Sequence, residues 1–213
     1  CDIRDRSDAT GYPAFGIYNN GTTTTIPQYN SYNVVTGNNI YNYFLDAASF
    51  TGGVFLNTGN TDWIITGNSF YQTGTRTVTL GATFAAIYNN NSTNNNNNQI
   101  TNNYVGGSAP LCAGTAMTYT GAGLYSFFGI QAFVSVLTPT NITGNTIKNI
   151  NLTTSPATGT SAFFKAIYAQ TGWINVNNNI IGATTGNDNI TLTTNTTATA
   201  YIISIIHHTG FGS

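Results

Sequence analysis

Charge is what this sequence has least of. Only 5 Lys+Arg and 6 acidic residues occur in 213, a net charge of -1, and every acid is an aspartate; ordinary globular chains carry roughly 25% charged residues. Arg4, Arg6, Arg76, Lys148 and Lys165 are too few and too scattered to line a phosphate backbone, which excludes a nucleic-acid partner. No apolar run approaches the ~20 residues that cross a bilayer, so no membrane insertion is expected. Two cysteines, Cys1 and Cys112, do not make a disulfide framework. Glutamate is absent and leucine, lysine and arginine are scarce, so little helix is expected. What the chain does have is asparagine, threonine and glycine around a 40% hydrophobic fraction. That composition can bury a core behind a polar, almost uncharged exterior.

A six-residue pattern recurs: Val35-Thr36-Gly37-Asn38-Asn39-Ile40, Ile65-Thr66-Gly67-Asn68-Ser69-Phe70, Ile100-Thr101-Asn102-Asn103-Tyr104-Val105, Ile142-Thr143-Gly144-Asn145-Thr146-Ile147 and Val176-Asn177-Asn178-Asn179-Ile180-Ile181. Its spacing, from about 30 to about 42 residues, is that of a solenoid. The first position is always Val or Ile, which suits a buried strand. The third is Gly or Asn, the residues that take a left-handed backbone at least cost. The fourth is always Asn. If repeats stack about 4.8 Å apart, Asn38, Asn68, Asn103, Asn145 and Asn179 form a ladder in which each amide donates to the next.

A second motif precedes each corner, a small residue followed by Ile or Val and often an aromatic: Gly16-Ile17-Tyr18, Gly53-Val54-Phe55, Ala86-Ile87-Tyr88, Gly129-Ile130-Gln131, Ala166-Ile167-Tyr168 and Ser204-Ile205-Ile206. The variable stretches, such as Gly21 to Thr25, Asn89 to Gln99 and Thr153 to Thr160, read as loops thrown out of the coil. The expected fold is all-β: a right-handed parallel β-helix (solenoid) of about five to six coils. Residues 1–213 are expected to form a single segment, cut from a longer rod at its C-terminal end and at its N-terminal end. Cys1 and Cys112 then lie about three coils of roughly 4.8 Å apart along the axis and are not expected to bond.

Cys1-Asp2-Ile3-Arg4-Asp5, the stretch Ile65 to Thr75 and Gly106-Gly107-Ser108-Ala109-Pro110-Leu111-Cys112 resemble the giant β-strand-repeat proteins that Bacteroidota secrete. The resemblance implies export through the type IX secretion system, an extracellular or cell-surface location, and a structural or adhesive role.

Parallel β-helices often degrade polysaccharides with clustered acids. The possible actors here are Asp46, Asp62 and Arg76, against the plainer reading that they are loop residues and that Asp62 opens a turn before Trp63. A glycosidase needs two carboxyls roughly 5 to 9.5 Å apart. Asp2, Asp5 and Asp8 suggest calcium, but Arg4 and Arg6 lie among them and favour surface ion pairing. Neighbours in a strand face opposite ways, so His207 and His208 are not expected to share a metal. Tyr18, Phe55, Tyr88 and Tyr168 share one repeat position, interrupted at Gln131, and form either an aromatic stripe that packs on sugar rings or a structural stack. An ice-binding face would need an outward threonine array, and the runs Thr22 to Thr25 and Thr191 to Thr197 do not recur with the repeat. The expectation is a non-enzymatic extracellular structural or adhesive module without cofactor or metal, its partners a glycan, another surface ligand or further repeats. The alternative is a polysaccharide-binding or polysaccharide-degrading β-helix protein.

Overall fold

β-Branched residues broken at short intervals by glycine and asparagine favour brief strands joined by abrupt bends, and the computed structural model is all-β. It describes residues 1–5, 11–22, 28–46, 50–91, 93–123, 125–154, 163–183 and 189–194 in full, and 202–207 as backbone.

Four parallel sheets run through the molecule. Sheet I contains Phe15–Asn19, Phe50–Leu56, Ala82–Asn90, Tyr125–Phe133, Phe164–Thr171 and Ile202–His207, stacked in that order. Sheet II contains Val34–Thr36, Ile64–Thr66, Gln99–Thr101, Thr140–Thr143 and Ile174–Asn177. Sheet III contains Asp2–Ile3, Asn39–Tyr41, Ser69–Tyr71, Tyr104–Val105, Thr146–Ile147 and Ile180–Ile181, and sheet IV contains Arg76–Thr77, Met117–Thr120, Ile150–Thr154 and Ile190–Thr194. Asn30–Ser31 and Asn60–Thr61 make a short fifth pair. Each strand pairs with its counterparts in the adjoining repeats, so the connection that a parallel pair requires is the rest of a repeat. This arrangement is compatible with a β-helix or solenoid.

The register follows the sequence motifs residue by residue. Ile17, Val54, Ile87, Ile130, Ile167 and Ile205 pair in one column of sheet I. Val35, Ile65, Ile100, Ile142 and Val176 form a column of sheet II. Ile3, Ile40, Phe70, Val105, Ile147 and Ile181 form one of sheet III. Most of these side chains are fully buried, each stabilising the fold by about 1.5–3 kcal/mol. At Gly16 and Gly53 the opposite wall leaves no room for a larger residue before the sheet I aliphatic. A Cβ on Gly53 would sit 2.4 Å from the Phe70 ring, and one on Gly16 would sit 2.5 Å from Ile40.

Between sheets II and III the chain bends at the third motif position. Gly37, Gly67, Asn102, Gly144 and Asn178 all have φ between 55° and 70°, the left-handed region that costs glycine nothing and asparagine little. The expectation of extruded loops fails for Asn89 to Gln99. Asn89, Asn95 and Asn98 are fully buried and Asn91 nearly so. Asn95 donates to Asn89, and Asn98 donates to Asn95 at 2.7 Å and to Thr140 at 3.2 Å. Asparagine makes this bend internally because Asn94 and Asn97 take φ of 54° and 53° while its amides satisfy one another. Of the other two loops, residues 23–25 and 155–160 lie outside the described residues, and Thr153 and Thr154 belong to a strand. A 3-10 turn, Pro110–Cys112, follows the third corner. Among the described residues no helix is long and apolar enough to cross a membrane.

Candidate functional site

The corners bring the five motif asparagines into one hydrogen-bonded column. Nδ2 of Asn38 donates to Oδ1 of Asn68 at 3.1 Å, Asn68 to Asn103 at 3.0 Å, Asn103 to Asn145 at 3.0 Å and Asn145 to Asn179 at 2.9 Å. Each accepting Oδ1 also takes the backbone N–H of the preceding asparagine. Each Nδ2 from Asn68 onward reaches back to a carbonyl of the repeat before, namely Val35, Ile65, Ile100 and Ile142. The amide thus fills every role a buried polar group needs there. Cys1 stands in the same column one repeat earlier, its Sγ 3.0 Å from Oδ1 of Asn38. Neither its thiol nor that of Cys112 is in a disulfide, and the Cys112 thiol donates to the Thr146 carbonyl at 3.8 Å.

The aromatic positions occupy the outer face of sheet I, since the residues beside them in the strand, such as Ile87 and Leu56, are buried in the core. Tyr18, Phe55 and Tyr88 do share a column. Phe55 stacks on Tyr88 with centroids 4.9 Å apart and planes 6° from parallel, and it meets Tyr18 at 5.4 Å. Two rings absent from the motif complete the cluster: Phe15 lies 5.2 Å from both Tyr18 and Phe55, and Phe50 lies 4.2 Å from Tyr88. Tyr168 is not part of this cluster. Gln131 holds the intervening place, 5% exposed and bonded to Gln170 at 2.6 Å. Tyr168 instead packs on Phe128, centroids 5.8 Å apart, with Lys165 Nζ about equidistant from both rings at 4.5 and 4.6 Å. Burial raises the Tyr88 phenol above its usual pKa, with a smaller contribution from Tyr168.

Among the described residues the acids do not gather. Asp46 accepts from the backbone N–H and hydroxyl of Thr79 and from the N–H of Leu80. Burial acts to raise its pKa, but those hydrogen bonds prevail and hold it below the usual carboxylate value. Asp62 makes a bend with φ 57° before Trp63 and accepts from Asn97 at 2.9 Å. The two lie beyond opposite ends of the 7-residue strand Phe50–Leu56, so about 20 Å separates them. That exceeds the roughly 5 to 9.5 Å between the carboxyls of a two-carboxylate glycosidase. Arg76 is buried elsewhere, donating to Gln72 at 2.7 Å and Asn42 at 2.6 Å under the ring of Tyr12. Asp2 accepts from Asn39, and Arg4 donates to the backbone carbonyl of Asp5; Arg6, Asp8 and His208 lie outside the described residues, as does the side chain of His207. Among the described residues no three His, Cys or Asp side chains come together.

No family model, curated protein or solved structure matches the chain.

Three features escaped sequence reasoning. Lys165 and Phe128 occupy a second outward column of sheet I, which begins at Phe15; Phe15, three residues before Tyr18, was the available signal. The buried Asn89–Asn95–Asn98 network resembles low-complexity sequence and had none. A threonine array does recur with the repeat, at the second position of the corner motif: Thr36, Thr66, Thr101 and Thr143 stand in one column of sheet II, ending at Asn177. Thr101 donates to Thr66 at 2.9 Å, and beside them Asn175, Asn141 and Gln99 bond in series at 3.0 Å. Thr66, Thr101, Gln99, Asn141 and Asn175 are thus bonded to one another.

Proposed function

We propose that the chain is a right-handed parallel β-helix of about five to six coils that serves as a non-enzymatic, extracellular structural or adhesive module. It is of the kind found in the giant repeat proteins that Bacteroidota export through the type IX system. The observation that carries this reading is the asparagine column, which continues unbroken from Asn38 to Asn179 and adds length and rigidity with every repeat. The right hand follows the strong general preference of parallel crossovers. Isolation of Asp46 from Asp62 supports a role without hydrolysis or elimination. Incubated with a panel of neutral and acidic polysaccharides, the purified chain releases no new reducing ends and no unsaturated products. Cleavage that Asp46→Asn or Asp62→Asn abolishes would replace this reading with the enzymatic one.

A second reading has its own support. Phe15, Tyr18, Phe50, Phe55 and Tyr88 present a ring cluster on one sheet face, and flat aromatic surfaces suit the apolar faces of sugar rings. On this reading adhesion is polysaccharide binding. A glycan array separates it from a purely mechanical role: binding that Tyr88→Ala weakens supports it, and a blank array with folded protein removes it.

A further inference from the structure

The outer face of sheet I changes chemistry along its length. Its first three strands carry Tyr18, Phe55 and Tyr88 in one outward column and Phe15, Gly52 and Ala85 in the other, all uncharged, whereas the fourth and fifth carry Phe128, Gln131, Lys165 and Tyr168. Lys165 is held over two ring faces at 4.5 and 4.6 Å, and the described carboxylates are committed elsewhere. Asp2 bonds Asn39, Asp46 bonds Thr79 and Leu80, Asp62 bonds Asn97, and Asp5 lies on the segment after sheet III's first strand. Among the described residues the ammonium therefore faces rings and no anion. Partial burial pulls its pKa below the ordinary lysine value, as expected when desolvation goes uncompensated by a negative partner.

We propose that this end of sheet I is a subsite for an acidic glycan, in which a uronate carboxylate pairs with Lys165 while the sugar ring lies against Tyr168 and the chain continues over Tyr88 and Phe55. The inference rests on the polysaccharide-binding reading and narrows it to the acidic class by charge complementarity. An acidic peptide suits the surface less well. The strand Phe164–Thr171 is paired on both sides, so it offers no edge for strand addition. A carboxylate gains the charge-assisted hydrogen bond that the rings cannot give. The two clusters divide the work between ring contact and charge recognition.

The test is calorimetric titration of the full chain with homogalacturonan oligosaccharides and with the same oligosaccharides fully methyl-esterified, which differ only in the carboxylate. The acid form is expected to bind about tenfold more tightly at low ionic strength. That preference disappears in about 1 M salt, where the screening length is about 3 Å. Lys165→Gln binds the two forms alike, and Lys165→Arg keeps the preference. Equal affinity of the parent for both forms, or a preference retained in Lys165→Gln, overturns the acidic subsite and leaves the glycan reading standing. Binding of neither form, nor of any neutral glycan, by protein shown folded by circular dichroism overturns both.

Discussion

At the scale of single residues, asparagine is placed where no other side chain does the same work. Asn103 is fully buried; its Nδ2 donates to Asn145 and to the Ile65 carbonyl, and its Oδ1 accepts twice from Asn68. Leucine has similar volume but would strand the Asn68 N–H and the Ile65 carbonyl, each costing about 1–3 kcal/mol. Asn103→Leu is therefore expected to lose roughly 3 kcal/mol or more in urea denaturation. Asn38→Leu, at the less buried end of the column, is expected to lose less. The buried phenols add a pH dependence. Burial raises the pKa of Tyr43, Tyr119 and Tyr125; the charge of Arg76 and a hydrogen bond from Gln72 partly oppose this at Tyr119. Below about pH 10 these groups are protonated in both states and stability is unaffected by them. Above it the unfolded chain releases protons that the folded chain retains, so stability falls as pH rises. The urea midpoint is expected to drop above about pH 10, and less steeply in Tyr43→Phe.

At the scale of elements, one strand dictates what its opposite wall can hold. Where the second repeat has Gly53 facing Phe70, the third has Ala86 and Val105 at the corresponding places. The pair exchanges volume across the core, a small residue against a large ring or a methyl against a valine. Gly53→Ala would drive Cβ to 2.4 Å from Phe70 and is expected to cost about 1–3 kcal/mol. Adding Phe70→Val rebuilds the pairing of the next repeat, and the double variant is expected to melt above Gly53→Ala. A double variant whose loss equals the sum of the Gly53→Ala and Phe70→Val losses would mean that the two positions are uncoupled. The recurrence of a small residue before Ile or Val was visible in the sequence; its reason lies in a side chain 17 to 24 residues further on, in another sheet.

For the molecule as a whole, each repeat touches its neighbours and little else, so stability accumulates by stacking. Charge contributes little to that sum. Raising salt from about 0.1 to 1 M is expected to move the thermal midpoint by less than about 3 °C, because exposed ion pairs are worth at most about 1 kcal/mol and this chain has few charges to form them. A larger shift would point to an electrostatic network beyond the described residues. The sequence by itself determined the parallel strands, the left-handed corner residues and the asparagines that meet, because every repeat solves the same packing problem with the same local pattern. Tertiary structure alone decided the meetings without a period: Lys165 with Phe128, Arg76 with Asn42 and Tyr12, and Asn95 with Asn89 inside a run that looked like loop. Repeats differ in length from about 30 to about 42 residues, so residues outside the motifs have no constant separation. Only the stacking of one repeat on the next brings them together.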